Sequence, residues 1–456
     1  MTKEMFPDEQ WFRSPDGKTL LAGSPLTSFT VSEAGARILD VLENGQALPT
    51  KHEALTSRLL ATGAVHPHTD HSVALSDITV VIPAYVTNEL GLAQLNELIT
   101  NLRGVAVIVV DDASPKTPAI TGATVVRREH NGGPGAARNT GLVQVATPYV
   151  AFIDSDVIAT PDDLQQLASI LRDEHVHLVA PRITTTDDKS VIGEYESLRS
   201  PLDLGTSPAV VRPMSRVSYV PAAVLVARTE QLRHDGSFEE SLRLGEDVDL
   251  VWRTVESGGV VRYVPSVECS HRPRRSWLAL WTQRFGYGTS AAHLDVRHKY
   301  SASPLRAHAV LLLPALATLA GYIYFAALLA LPTLLYFLIT LRDTKMRTRT
   351  RATLTWIGYT STLRLLASAV RRAWWPLFVI GIFFFPPALF MLLFAVLAPP
   401  AYAIVRQKPR HPVPYFCLRV LDDCAYGLGV WVGALRTRNF RCLLPVVTIR
   451  RTSRAK

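Results

Sequence analysis

At 456 residues the chain has room for two or three domains, and its formal charge of +9 and 48% hydrophobic content average over two unlike halves. Asp and Glu are plentiful in residues 1–300, whereas residues 305–405 hold two apolar blocks among basic residues. That distribution points to an anionic bilayer surface and excludes nucleic acid as the partner, since no arginine–aromatic reading pattern is present.

The cysteines, Cys269, Cys417, Cys424 and Cys442, form no Cys-x-x-Cys or Cys/His cluster. Structural zinc and a disulfide framework are therefore not expected, and a reducing compartment fits. The first residues, MTKEMFPDEQWFRS, carry no apolar secretory segment.

In chain order, residues 14–75 form a small unit of their own. Residues 20–25 predict a strand and turn. A helix with apolar residues at helical spacing follows the cap Ser32 and runs to Leu42. A second helix is predicted over about 51–62, then Gly63-Ala64-Val65. The tract His66-Pro67-His68-Thr69-Asp70-His71 reads as a solvated linker, because Pro67 breaks any helix that could hold metal ligands.

From Asp77 strands alternate with helices: a strand at 78–83, a helix at 88–102, and a second strand at 105–110 ending in Asp111-Asp112-Ala113-Ser114. The alternation predicts a parallel doubly wound sheet, and an acid ending the second strand is placed to bond a nucleoside. No Gly-x-Gly-x-x-Gly follows the first strand, which disfavours a dinucleotide fold. In 131–141 glycines allow close backbone approach, and the helix at about 135–145 offers its N-terminus to anions. The apolar run 149–153 then leads into Asp154-Ser155-Asp156. Two carboxylates one residue apart can reach one hard cation, Mg²⁺ or Mn²⁺, which such sites commonly share with a diphosphate.

These motifs, IPAY, VDDAS, NGGPGAARNTG and FIDSD, in this order, resemble inverting family 2 glycosyltransferases of the GT-A fold over about 78–295. The resemblance implies a UDP-sugar donor bound by Pro83, Tyr85, Asp111, Asp112, Gly133, Arg138 and Asp154. Tyr85 would stack near the uracil, Asp111 would bond its ring, and Arg138 would lie beside the nucleotide. Asp154 and Asp156 would hold the diphosphate–metal unit, with His271 as a third metal ligand. In Gly245-Glu246-Asp247-Val248-Asp249 the family's catalytic base maps onto Asp247, and Glu246 biases its pKa and orientation. Asp249 is expected to cap the helix that follows. Trp277, Gln283 and Arg284 look like a variant of the family's Q-x-x-R-W region beside the acceptor and diphosphate, although here the Trp comes first.

Residues 14–75 resemble PqqD-like winged-helix domains, which hold precursor peptides. The order of that domain, a GT-A domain and a membrane-associated helical region over 305–456 resembles the glycosyltransferases of mycofactocin systems. This implies transfer of glucose from UDP-glucose onto a peptide-derived redox-cofactor precursor, building a β-linked chain. Two alternatives stay open: a membrane polysaccharide or glycolipid synthase of family 2, and a non-catalytic peptide-delivery scaffold. Intact Asp111, Asp154, Asp156 and Asp247 weigh against the scaffold.

The apolar block 310–341 is too long for one crossing at about 20 residues each and short for two. The block 374–405 is similar and carries Pro386-Pro387 near its middle. Basic residues bracket both, so each is expected to enter and leave on the same face as a hairpin, with the catalytic domain on the cytoplasmic side of the cell membrane. Residues 412–440, with Asp422 and Asp423, predict an amphipathic helix on the bilayer surface or under the enzyme domain.

Overall fold

The computed structural model describes residues 5–46, 53–186, 189–274 and 276–449. Two compact units divide the chain: residues 1–9, 23–25 and 41–273 form one, and residues 10–22, 26–40 and 274–456 the other.

The first unit is built on a nine-stranded sheet. From one edge its strands are Val157–Ile158, Val260–His271, Val176–Thr185, Val224–Arg228, Tyr149–Ile153, Ile78–Ala84, Ala106–Asp111 and Thr124–Arg127, with Ala209–Val210 beside Val260–His271. Ile78, Val80, Val81 and Ile82 are all fully buried. A strand covered on both faces needs such a continuous apolar run, with no alternation. Helices Glu89–Asn101 and Pro161–Ile170 bury Leu95, Leu98, Leu164 and Leu167 in one core with this sheet. Helix Pro134–Gln144 presses close to the sheet through Gly141, where a Cβ would lie 2.4 Å from Val81 Cγ1.

The sheet is mixed, which corrects the expectation of an all-parallel one. Val224–Arg228 runs antiparallel to both Tyr149–Ile153 and Val176–Thr185. It is reached through an irregular stretch after Ala209–Val210 and leads at once into helix Thr229–Asp235, so no crossover helix forces it parallel. Chain order diverges on either side of Ile78–Ala84: Ala106–Asp111 pairs with one edge and Tyr149–Ile153 with the other. This switch point opens a crevice at the carboxyl ends of the strands, where open α/β sheets take ligands.

The expectation for the histidine tract is also corrected. His66 lies in strand Val65–Pro67, paired with Met5–Pro7, and is buried. Its Nε2 is 3.0 Å from Asp8 Oδ2, and Arg216 closes on the same carboxylate at 2.7 Å. Burial lowers the pKa of the imidazole against the pull of Asp8. Only its end behaves as foreseen: His71 is exposed and meets Asp162 at 2.6 Å.

The second unit holds an antiparallel meander, Trp11–Arg13, Thr19–Ala22 and Thr27–Thr30, and most of the helix Glu33–Glu43. Its larger part is helical. Helices Trp277–Arg297 and Pro412–Thr437 touch backbone to backbone: a Cβ on Gly288 would meet Tyr426 O at 2.1 Å, and one on Gly429 would meet Phe285 O at 2.1 Å. The first apolar block breaks at Gly321 into helices Ala309–Leu319 and Ile323–Thr340. The second becomes helix Trp375–Gly381 and, after Phe383, Phe384 and Phe385, helix Pro387–Gln407. Ile323–Thr340 and Pro387–Gln407 are long and apolar enough to cross a membrane. Tyr324 is 94% exposed, and Phe383 and Phe384 are each 85% exposed.

The helix expected over 412–440 forms as Pro412–Thr437, with its acids turned inward. Arg419, Asp422 and Asp423 are buried. Asp423 meets Arg371 at 2.9 Å and Arg372 at 3.3 Å, so the acids pair inward and do not form a wet face.

Candidate active site

The carboxyl ends of the central strands bring most of the foreseen residues of the first unit together. Strand Ile78–Ala84 delivers a half-buried Pro83 and, just beyond its end, Tyr85, which is 52% exposed. Strand Ala106–Asp111 delivers Asp111 and Asp112, both buried. Asp112 organises the glycine-rich turn: its Oδ1 accepts from Gly132 N at 3.0 Å and its Oδ2 from Gly133 N at 2.8 Å. Gly133 takes φ +88 and caps helix Pro134–Gln144, a conformation that favours glycine. Asp111 accepts from Ser114 N at 2.9 Å and is bonded by Arg127.

Arg127 and Arg128 are absent from the foreseen site. Arg127 stands directly opposite Asp111 in the parallel register of Thr124–Arg127, and Arg128 Nε lies 2.8 Å from Asp112 Oδ1. Two adjacent arginines ending a strand next to a two-acid strand end are the signal that could have found them. They place two guanidinium groups against the acids that end Ala106–Asp111.

Arg138 is the hub. Its Nη2 donates to Asp154 Oδ1 at 2.7 Å and its Nη1 to Glu246 Oε1 at 2.8 Å, while its guanidinium sits 5.1 Å from the centre of the Phe238 ring. Burial opposes its charge, but Asp154 and Glu246 outweigh that and hold its pKa above the ordinary arginine value. Burial raises the pKa of Asp154; Arg138 pulls it down, Asp156 pushes it up, and the net direction is upward. Burial and the neighbouring Asp247 charge push Glu246 up to about 7, with Arg138 acting against them.

Glu246 and Asp247 open helix Glu246–Glu256 after Gly245 at φ +83. Asp247 Oδ2 accepts from Ala222 N at 3.2 Å, and the carbonyl of the next residue, Ala223, accepts from Asp154 N at 3.0 Å. One short segment thus ties the base candidate to the end of the aspartate strand. Asp249 does not cap the helix, as expected of it. Gly245 holds the cap position, and the fully buried Asp249 takes Arg253 Nε at 2.8 Å, one turn on. Arg253 in turn donates to the carbonyls of Gly236 and Ser237.

Asp156 and His271 meet across strands: Asp156 Oδ2 is 3.1 Å from His271 Nε2, where Val157–Ile158 pairs with the end of Val260–His271. A half-buried carboxylate and a buried imidazole that converge here could supply two ligands to a divalent cation. Asp154 is turned to Arg138, and among the described residues no group of three or more His, Cys, Asp or Glu encloses a metal position.

Trp277, Gln283 and Arg284 belong to the second unit. Trp277 is exposed at the start of its helix. Gln283 Nε2 donates to Tyr287 Oη at 3.0 Å, and its Oε1 accepts from Arg284 at 2.7 Å. Arg284 is buried and faces Asp422 at 3.4 Å.

Comparison with known proteins adds the following. The model for "Glycosyl transferase family 2" matches residues 79–214, and that for "Glycosyl transferase family group 2" matches residues 149–340. The chain is 34% identical over 459 residues to the "Pre-mycofactocin glycosyltransferase" of Mycobacterium tuberculosis, covering 95% of each chain. It is 28% identical over 221 residues to the "Succinoglycan biosynthesis protein ExoO" of Rhizobium meliloti, covering 42% of this chain and 59% of that one. Among solved structures, a mannosyltransferase from Pyrobaculum calidifontis covers 80% of this chain and 89% of its own at 16% identity, with a TM-score of 0.41.

Proposed function

This chain belongs to the pre-mycofactocin glycosyltransferases, within glycosyl transferase family 2, and from that premise we propose its reaction: transfer of glucose from UDP-glucose, with inversion, onto a peptide-derived precursor of the mycofactocin cofactor, building a β-linked chain. The observation that carries this is the Asp154–Arg138–Glu246 bridge. It joins the carboxylate strand end, where a donor diphosphate would sit, to the helix start that bears Asp247.

In this reading Tyr85 stacks on the uracil and Gly133 admits the donor close to backbone. Asp111 bonds the uracil ring and is steadied by Arg127, while Asp112, met by Arg128, shapes the glycine turn. Asp247 takes the acceptor hydroxyl proton, and displacement at the anomeric carbon expels UDP in line. Asp156 and His271 would hold a Mg²⁺ or Mn²⁺ ion, with Asp154 beside them. That ion supplies charge neutralisation for the departing diphosphate. Glu246 orients the base turn through Arg138. Trp277 and Gln283 keep the acceptor-side role that the resemblance implies, whereas Arg284 is buried against Asp422.

Residues 14–75 act as a PqqD-like domain that presents the acceptor, and 305–456 associate with the inner face of the cell membrane. Helix Ala309–Leu319 rises only about 16 Å and Trp375–Gly381 about 10 Å, against a hydrocarbon core of about 30 Å, so these arms support hairpins that dip and return. A side chain on Gly321, at the first turn, would strike the Phe390 ring at 2.9 Å, which supports adjacent hairpin tips. Lys345, after the longer arm, lies 3.2 Å from Asp16 of the N-terminal meander turn, which supports a common side for both.

The test is incubation of the purified full chain with UDP-glucose, Mn²⁺ and small-molecule extract from cells lacking this gene, followed by mass spectrometry. A ladder spaced by hexose units on one peptide-derived species is expected. UDP-glucose hydrolysis with no hexose added to any extract component would overturn the acceptor assignment.

A further inference from the structure

A cavity of about 150 Å³ lies in the second unit, away from the residues assigned to catalysis. Ala291, Ser303, Ser368, Arg372, Tyr426 and Cys442 are among its walls. Its chemistry is cationic. Arg372 contributes a guanidinium stacked 4.1 Å from the centre of the Tyr426 ring. Behind it, Asp423 is shared by Arg371 at 2.9 Å, Arg372 at 3.3 Å and Arg419 at 3.5 Å, while Arg284 faces Asp422 at 3.4 Å. Among the described residues these four arginines meet two aspartates, while the buried Asp295, which bears on the Cys442 wall, is paired with Arg441, so the cluster is rich in positive charge. Such an excess favours an anion, and guanidinium groups with serine hydroxyls suit a phosphate.

The cavity also lies where the apolar helices begin. Ser303 and Pro304 precede Ala309–Leu319, and Arg372 precedes Trp375–Gly381. Two indoles mark the same level: Trp374 Nε1 donates to Leu443 O and Trp431 Nε1 to Ala373 O, each at 2.7 Å. Indoles with a bonded N–H beside apolar helices and arginines are the composition of a membrane–water boundary. A soluble anion would need no such placement, whereas a lipid phosphate sits at this depth with its chains beside the apolar helices.

We propose that this cavity holds the phosphate headgroup of an anionic phospholipid, with Arg372 and Ser368 as its polar wall; the Ser303 hydroxyl is engaged by the carbonyls of Leu305 and Leu444. The inference rests on the membrane association of 305–456, so the experiment separates the two. Full-length protein is first floated with vesicles of phosphatidylcholine alone and with one-fifth phosphatidylglycerol. Failure to float with either would overturn the membrane reading and this site with it.

In detergent, melting temperature is then followed against short-chain phosphatidylglycerol, short-chain phosphatidylcholine and inorganic phosphate. Phosphatidylglycerol should raise it at concentrations about tenfold below phosphatidylcholine, with no rise from inorganic phosphate, and Arg372→Gln should remove the difference. Because Arg372 also meets Asp423, Ser368→Leu serves as a second variant that fills the cavity and leaves every charge in place. Loss of the preference in both variants, with flotation intact, supports the site. An undiminished preference in Ser368→Leu, or an equal rise from inorganic phosphate alone, overturns a lipid headgroup site here.

Discussion

Replacing Asp247 by Asn separates the base from the donor site. The wild-type carboxylate accepts from Val248 N at 2.8 Å and from Ala222 N at 3.2 Å. Asn keeps one oxygen for one of these donors and turns an amide toward the other, at a cost of about 1–3 kcal/mol in local stability. Arg138, Asp154 and Glu246 keep their mutual bonds, since none passes through Asp247. The kinetic loss is that of a general base, about 10²–10⁴-fold in turnover, or about 2.7–5.4 kcal/mol of barrier. The assay pairs turnover with UDP-glucose and acceptor against UDP affinity by calorimetry in Mn²⁺. We expect turnover to fall by at least a hundredfold with UDP affinity within threefold of wild type. If affinity collapses together with turnover, Asp247 belongs to the donor site and the assigned role is refuted.

The remaining tests probe the other parts of the molecule. Asp156→Asn should reduce transfer on the order of 10³-fold, and His271→Ala should weaken Mn²⁺ binding measured directly by calorimetry; unchanged Mn²⁺ affinity in both would remove the pair as ligands. Glu246, raised to about 7 by burial and Asp247, holds its proton more tightly folded than unfolded, so its contribution to stability is full below its ordinary value near 4.5 and is lost as pH rises to about 7. That amounts to roughly 3 kcal/mol at most, read as a falling melting temperature across this window in wild type and a flatter profile in Glu246→Gln; parallel profiles would contradict it. Deleting residues 1–72 should spare UDP-glucose hydrolysis and raise the KM for the natural acceptor, whereas equal acceptor kinetics would leave the segment a structural brace. Single cysteines at 345, 372 and 408 in a cysteine-free chain should resist an impermeant thiol reagent in intact cells, and labelling of any one from outside would break the same-side topology.

The strands and their acidic ends were legible because buried strands write continuous apolar runs, and the run 78–82 or 149–153 has no other economical use. The site was legible in proportion to how locally its residues act. Asp154, Asp156 and the Glu246-Asp247 pair sit next to the features that reveal them. Arg127 and Arg128 matter through partners on a neighbouring strand, and only the register Asp111↔Arg127 says which acid each meets. The antiparallel strand Val224–Arg228 carries the same apolar composition as its parallel neighbours, since direction is set by the connection and leaves no mark on side-chain type.

Apart from strand direction, the differences concern polar residues whose partners lie outside their own stretch of sequence. His66 sits in a tract with Pro, Thr and Asp, but it becomes the inner face of a strand because residues 5–7 pair with it and Asp8 supplies a buried acceptor, 58 positions away. Asp249 has the composition of a cap, yet a glycine at positive φ begins the helix and Arg253 claims the acid one turn later. Asp422 and Asp423 lie between apolar positions of their helix, and the polar stripe turns inward to arginines drawn from two other stretches of chain and its own. A buried charge is tolerated only beside an opposite one, because stripping either of water costs several kcal/mol. The basic residues 371 and 372 therefore serve two ends at once. They neutralise Asp423 of Pro412–Thr437, and in the proposed topology they would also mark the side on which the second hairpin enters.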